Sequence, residues 1–397
     1  MLHYFNPGHE SAVLNGSPYY HAPANVIQMQ RDLAFLPAWL AGENDFVLIE
    51  DALPDDFINF WKELPNFSVK GVVDTSPDVS ALIGQEPALW GISLQSIHRL
   101  TLLSEKYALQ LKIPRWNPLL GTFTARQQAA VFLSSLSRAF PFVSSKLIPR
   151  FLTSLKAVDD VLEQENESSF LAKAPYSSSG RGLLWLPKAE LSRTERQILS
   201  GYLKKQGAVS IEYVLEKKVD FAMEFYCDGI GGCRFEGYSL FETNDKGNYG
   251  GNIIASQERI IETLSAKISI EQVSLVKERL LELFSTELAT VYKGYMGVDM
   301  MIYFEDGQLK LHPCVEINLR SNMGILAFSI QKKYVHPQVV GHFFVEYYKS
   351  NKSLCEKHSK MQKLHPATFV SGKMYAGYFP LCPINDESRY LAYVFLE

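Results

Sequence analysis

The stretch from Gly297 to Gly324, GVDMMIYFEDGQLKLHPCVEINLRSNMG, gathers Asp299, Glu316, Asn318 and Arg320 around a turn signal. Asp306-Gly307 between two apolar runs marks a two-residue hairpin, because a type I′ turn needs positive φ at both central positions. With that turn, Glu305 pairs with Gln308, and the same register sets Asp299 opposite Cys314. Glu316 is then the diagonal neighbour of Asp299, about 7–8 Å away. Strand alternation puts Lys310, His312, Cys314, Glu316, Asn318 and Arg320 on one face with Asp299. Leu309, Leu311, Val315, Ile317 and Leu319 take the other. Two carboxylates and an amide suit a hard cation such as Mg²⁺, which completes its shell with substrate phosphates. Arg320 would meet the phosphate oxygens left over. A half-solvated strand face shows the same alternation, so the hairpin by itself leaves both readings level.

Two further segments tip the balance. In FLAKAPYSSSGRGLLWL, Lys173 sits inside an apolar strand, where a buried ammonium needs an anionic partner. The small residues from Ser177 to Gly182 expose backbone N–H groups that can close over phosphate, and Arg181 adds a positive tip. No GKS or GKT follows, so this is not a Walker loop. In VSIEYVLEKKVDFAMEF, Glu212 ends one apolar strand and Asp220 opens the next. A connector of this kind can offer peptide groups to a base edge while a nearby carboxylate holds ribose hydroxyls.

In this order and spacing the three segments resemble the ATP-grasp superfamily, which includes biotin carboxylase and D-alanine–D-alanine ligase. The resemblance runs from about Ser96 to Gln331, and VEINLRSN looks like the family's E-x-N metal motif with its following arginine. It implies that Asp299, Glu316 and Asn318 hold Mg²⁺, or Mn²⁺, on the phosphates of ATP. It implies that Lys173 contacts the nucleotide and that Ser178, Ser179, Gly180, Arg181 and Gly182 cover the phosphates. Glu212, Tyr213 and Leu215 match the adenine hinge, Asp220 the ribose carboxylate, and Arg320 the arginine that stabilises the reacting phosphate. An earlier basic residue is also implied, with Arg99, Lys106, Lys146 and Arg150 competing for the place.

The implied chemistry is ligation of a small-molecule carboxylate to an amine, or a thiol, through an acyl phosphate, with release of ADP and phosphate. The alternatives are a kinase acting on a small-molecule hydroxyl and a non-catalytic ATP-binding module. The implied architecture is α/β and α+β: an N-terminal parallel α/β domain over 1–95, then two ATP-grasp subdomains over 96–208 and 209–349. A C-terminal extension would cover 350–397.

The elements that must position these groups are legible in outline. LHYF, FVLIED and KGVVDT alternate with helical patterns, including one from Ile27 to Leu40, as in a small parallel layer. Helical runs are expected over Ser93–Gln110, Thr124–Ala139 and Ile270–Tyr292, the last as core. The middle of the chain is rich in strands, which suggests antiparallel sheets. After Ser350 the polar segment NKSLCEKHSKMQK reads as a linker before two short strands. FNPGHES follows the first strand; Asn6, Gly8, His9 and Glu10 there could line a pocket or form an ordinary turn. The loop from Glu242 to Asn252 could bring Lys246, Tyr249 and Asn252 to an acceptor.

Composition bounds the partners. The chain has 397 residues, 47% hydrophobic and 21% charged, enough for two or three globular domains. Thirty-nine Lys plus Arg against 43 Asp plus Glu argue against a nucleic-acid or anionic-membrane surface. No window reaches the roughly 20 apolar residues of a membrane span. Five scattered cysteines with no CxxC pair are read as free thiols, with Cys227 and Cys233 flanking a plain turn and His312 and Cys314 lining the site. MLHYFNPGHES lacks the pattern of a secretory signal, so the expected location is cytoplasmic. Oligomeric state is left open, a homodimer included.

Overall fold

The computed structural model describes the chain except Asn66, Ser68, Val69, Asp74, residues 76–78 and 165–168, Ser178, Ser179, Arg181, Lys188, Ala189, Asp245 and Lys246. Three sheets are present among the described residues. The first holds β1 (Leu2–Tyr4), β2 (Phe46–Ile49), β3 (Lys70–Val73) and β4 (Pro87–Leu89) in the order β3-β2-β1-β4, every pair parallel. The expected parallel layer is therefore there, with β4 added. The helical run expected over Ile27–Leu40 is instead an α-helix, Ala24–Asp32, followed by a separate 3₁₀ turn at Leu36–Trp39.

The second sheet is antiparallel: β5 (Arg150–Leu152), β6 (Ser169–Lys173), β7 (Leu183–Pro187) and β8 (Val209–Tyr213), ordered β5-β8-β6-β7. The third comprises β9 (Glu216–Asp228), β10 (Cys233–Thr243), β11 (Tyr249–Ile254), β12 (Lys293–Glu305), β13 (Gln308–Asn318), β14 (Gly341–Tyr347), β15 (Thr368–Val370), β16 (Lys373–Pro380) and β17 (Tyr390–Leu396). Its order is β13-β12-β9-β10-β11-β14-β17-β16-β15. This long sheet is the floor on which the site is laid out.

Its underside is covered by helices. Helix Ile270–Glu287 starts at Ser269, whose side chain accepts from Gln272 N, and buries Val273, Val276, Leu280, Leu283 and Phe284. That spacing of three and four residues is one apolar stripe, so the helix is core as expected. Helix Arg126–Ala139 adds Phe132, Leu133 and Leu136 to the same core. The run expected from Thr124 is broken, because Ala125 is extended between Pro118–Thr124 and Arg126–Ala139. Helix Met323–Tyr334 joins the large sheet to the parallel layer through Phe328, Ile330, Trp39 and Phe379.

Two further expectations are overturned. The segment after Ser350 is not a linker: Asn351–Leu364 is an α-helix capped by Ser350, whose hydroxyl accepts from Ser353 N at 3.1 Å. The strands after it number three, β15 to β17, and belong to the large sheet. Its sparse apolar stripe, with Leu354 buried, hid the helix from the sequence reading. Cys227 and Cys233 are not free thiols but a disulfide, and only Cys314, Cys355 and Cys382 are free. The two are direct partners across β9 and β10, with Cα atoms 4.3 Å apart. Asp228 folds the connecting turn by accepting from Ile230 N and Gly232 N. The pair removes one of the arguments for a reducing compartment. Among the described residues no helix is long and apolar enough to cross a membrane.

Candidate functional site

The β12–β13 ribbon turns at Asp306-Gly307, with φ of 52° and 77°, and Glu305 pairs with Gln308 as the sequence implies. The register holds as far as Met301 opposite His312 and then shifts, so that Asp299 lies opposite Glu316 and Gly297 opposite Asn318. Asp299 does not face Cys314, and Glu316 is its direct partner, not its diagonal one. The cause lies in β13, where Pro313 has no N–H for the ladder and the strand bulges. The bulge also re-aims the side chains. Cys314 turns into the core beside Leu311 and Ile317, while Val315 lines the cleft. His312 lines the cleft as expected; burial lowers its pKa to about 3.

Cross-strand opposition brings two carboxylates into one buried place. Asp299 is held well above the usual carboxylate range, first by burial and then by the charge of Glu316. Glu316 is met by Arg126, Nη2 to Oε2 3.0 Å, and Arg320 donates through Nη2 to Asn318 Oδ1 at 3.2 Å. Behind them Glu224 is fully buried and pushed up to about 7 by that burial. It accepts from Ser239 Oγ and Asn322 Nδ2, both at 2.8 Å. Gly297 and Gly324 are required there: a Cβ would come within 2.3 Å of Asn322 Nδ2 and 2.1 Å of Glu224 Oε1 respectively.

The second sheet closes the cleft from above. Lys173 on β6 reaches Glu212 on β8, Nζ to Oε2 2.5 Å, so the anion that its burial demands is first of all a side chain. Tyr213 and Leu215 continue this wall, while Asp220 lies below on β9 of the large sheet and accepts from Lys217 Nζ at 2.6 Å and Thr243 Oγ1 at 2.8 Å. Gly180 lines the cleft and Gly182 is buried at the base of its loop; Ser178, Ser179 and Arg181 lie outside the described residues, as does Lys246. Tyr249 and Asn252 line the cleft, joined by a 2.6 Å hydrogen bond from the tyrosine hydroxyl.

The cleft, about 850 Å³, thus collects Lys173, Glu212, Tyr213, Leu215, Asp220, Asp299, Glu316, Asn318 and Arg320. Of the four candidates for an earlier basic residue, Lys146 lines it. Arg150 donates to the Tyr213 hydroxyl at 3.3 Å, while Arg99 and Lys106 lie over Tyr4 and Tyr107. Arg126 was missed, since nothing local in the sequence distinguishes a helix-start arginine from a solvated one. In the NPGHE segment, Pro7 lines the cleft, whereas Asn6 ties two loops together by exchanging hydrogen bonds with Gly91. His9 is packed beside Thr124, and Glu10 reaches the site through Arg320.

Among the described residues no three His, Cys, Asp or Glu side chains converge to hold a metal by themselves. Two opposed carboxylates with one amide instead fit a cation that draws its remaining oxygens from phosphate and water. The raised Asp299 is consistent with that fit, since a bound cation would offset the burial and the neighbouring Glu316 charge that raise it.

No family model and no curated protein sequence matches the chain. Solved structures do. The biotin carboxylase domain of Hydrogenobacter thermophilus 2-oxoglutarate carboxylase, in complex with MgADP, ADP and bicarbonate, is 9% identical over 100% of this chain and 86% of that one, with a TM-score of 0.52. Biotin carboxylase from Campylobacter jejuni, in a β,γ-ATP complex, is 9% identical over 100% and 87%, TM-score 0.51. Pyruvate carboxylase from Rhizobium etli is 12% identical over 92% of this chain and 35% of that one, TM-score 0.50. Two antiparallel sheets facing each other across a cleft, behind a parallel N-terminal layer, are shared with these structures, and the chain has the ATP-grasp fold.

Proposed function

We propose that the chain is an ADP-forming, ATP-dependent ligase that joins a small-molecule carboxylate to an amine or thiol. The observation that carries this reading is the opposition of Asp299 and Glu316 in the same cleft that Lys173 and Glu212 enter from the facing sheet. Tyr213 and Leu215 would flank the adenine, with Asp220 at the ribose and Gly180 and Gly182 near the phosphates. Asp299, Glu316 and Asn318 would hold Mg²⁺ or Mn²⁺, which when bound neutralises triphosphate charge. In the first step a carboxylate oxygen of the substrate forms a bond to the γ-phosphorus as the β–γ bridging P–O bond breaks, and ADP leaves with the electron pair. In the second, the acceptor's lone pair attacks the acyl carbon, phosphate departs with its bonding electrons, and the acceptor loses a proton. Neither step needs a protein nucleophile, only position and charge. Arg320, Lys173, Arg126 and Lys146 supply the positive side.

The test is a panel of carboxylates and amines incubated with ATP and Mg²⁺, read by phosphate release and by mass spectrometry. A condensed product with equimolar phosphate supports the ligase. A phosphorylated product without phosphate release would assign a kinase, and bound nucleotide with no ADP from any pair would assign a binding module.

A further inference from the structure

The two ends of the cleft differ in kind. Every charged residue in its lining belongs to β6, β8, β9, β12 or β13, or to the segments carrying Arg126, Lys146 and Arg320. The floor then runs on across β10, β11, β14 and β17. Tyr347 on β14 lies four strands from Asp299 on β12, roughly 19 Å at the usual strand spacing. Along this limb the apolar and aromatic lining is Phe241, Tyr249, Val345, Tyr347 and Tyr390, with Met29 from helix Ala24–Asp32, beside the neutral side chains of Asn25, Ser239, Thr243 and Asn252. None of the described residues that these elements give to the cleft is charged. Glu346, between Val345 and Tyr347, turns to the opposite face and accepts from the Tyr393 hydroxyl at 2.9 Å.

The polar groups of the limb are largely occupied. Asn252 is 1% exposed, accepts from Tyr249 and donates to Leu240 O at 3.2 Å. Apart from the exposed Asn25 amide, what remains on offer is mainly ring and aliphatic surface: the rings of Tyr347 and Tyr390 stand 5.1 Å apart at 51°, and Tyr347 is 59% exposed. A carboxylate or ammonium placed there would lose water and meet no counter-charge. A flat apolar group would gain both burial and ring contact.

We propose that this limb binds the body of one of the two joined substrates, and that this body is an uncharged aromatic group. The inference rests on the ligase reading and specifies it: the reacting carboxylate or amine sits toward Arg320 and Asn318, and the ring extends toward Tyr347 and Tyr390. Val345, Tyr347 and Met29 then set specificity by shape and lack of charge.

The test is calorimetric titration of the full chain, saturated with Mg·ADP, with two matched pairs of probes: 3-phenylpropanoate against propanoate, and 2-phenylethylamine against ethylamine. In at least one pair the ring-bearing probe should bind about tenfold or more tightly than its ringless partner. Val345→Glu should remove that preference; Tyr347→Ala, at an exposed position that the fold tolerates, should reduce it several-fold, and Tyr347→Phe should retain it. Equal affinity within both pairs, or a preference untouched by both Val345→Glu and Tyr347→Ala, would overturn the proposal. The nucleotide is titrated separately without probe. Failure of that titration counts against the ligase reading, while the probe pairs, repeated without nucleotide, still report on the limb.

Discussion

The carboxylate of Glu10 accepts a hydrogen bond from Arg320 Nε at 2.6 Å, although 310 residues separate them. Both side chains are largely buried, at 9% and 15% exposure. The parallel N-terminal layer thereby fixes the arginine that stands over the cleft, and Arg320 Nη1 and Nη2 are left to Ser321 O and Asn318. Glu10→Ala leaves a buried guanidinium without its partner, a loss of about 3–5 kcal/mol. Glu10→Gln keeps an acceptor and should cost less stability, yet lower kcat more than it raises the KM for ATP. Urea unfolding and steady-state kinetics on both variants check this; an unchanged kcat in Glu10→Gln would remove the positioning role.

Glu316→Ala removes one of the two opposed carboxylates while leaving the apolar side of the ribbon untouched. The variant should fold, and the thermal stabilisation given by Mg·ADP should vanish together with turnover. Differential scanning fluorimetry with ADP plus Mg²⁺, against ADP plus EDTA, measures it. A wild-type chain equally stabilised by ADP in both conditions would exclude the metal role of Asp299, Glu316 and Asn318.

His9 is buried, and that burial lowers its pKa from 6.5 to about 4. Between those values the unfolded chain takes up a proton that the folded chain refuses, so stability falls as pH drops from about 6.5 to about 4 and this contribution levels off below that. The shift corresponds to about 3 kcal/mol. Urea midpoints at pH 7.5, 5.5 and 4.5 should decline more steeply for the native chain than for His9→Gln. Parallel declines would show that His9 contributes nothing to the slope.

The Cys227–Cys233 disulfide closes a short turn, with a sequence separation of 6. A loop that short constrains the unfolded chain by ~2 kcal/mol. Dithiothreitol should lower Tm by a few degrees, and Cys227→Ser with Cys233→Ser should do the same and abolish the response to reductant. Alkylation of all five cysteines in the native, unreduced chain would contradict the pairing.

Some of this molecule was written locally. Asp306-Gly307 between two apolar runs signalled a tight turn, because positive φ at two successive positions favours residues of that type. Around it, alternation named Glu316, Asn318 and Arg320 as one group. Lys173 inside an apolar strand announced a buried charge, and the parallel layer followed from strand-helix spacing. The helix at Asn351–Leu364 escaped because its polar composition outweighs a narrow apolar stripe, and the signal that could have found it was Ser350 as a cap.

The residue types at the site and the strands that bear them were determined by the sequence alone, since propensity, alternation and turn chemistry act over a few neighbouring residues. Which groups meet was decided only by tertiary structure. A bulge at Pro313 set Asp299 against Glu316, a strand pairing set Cys227 beside Cys233, and packing brought Arg126 to Glu316 and Glu10 to Arg320. The register shift and the strand pairing depend on how whole strands settle beside one another, and the two ion pairs on how distant segments share one buried volume. No window of local sequence contains that information.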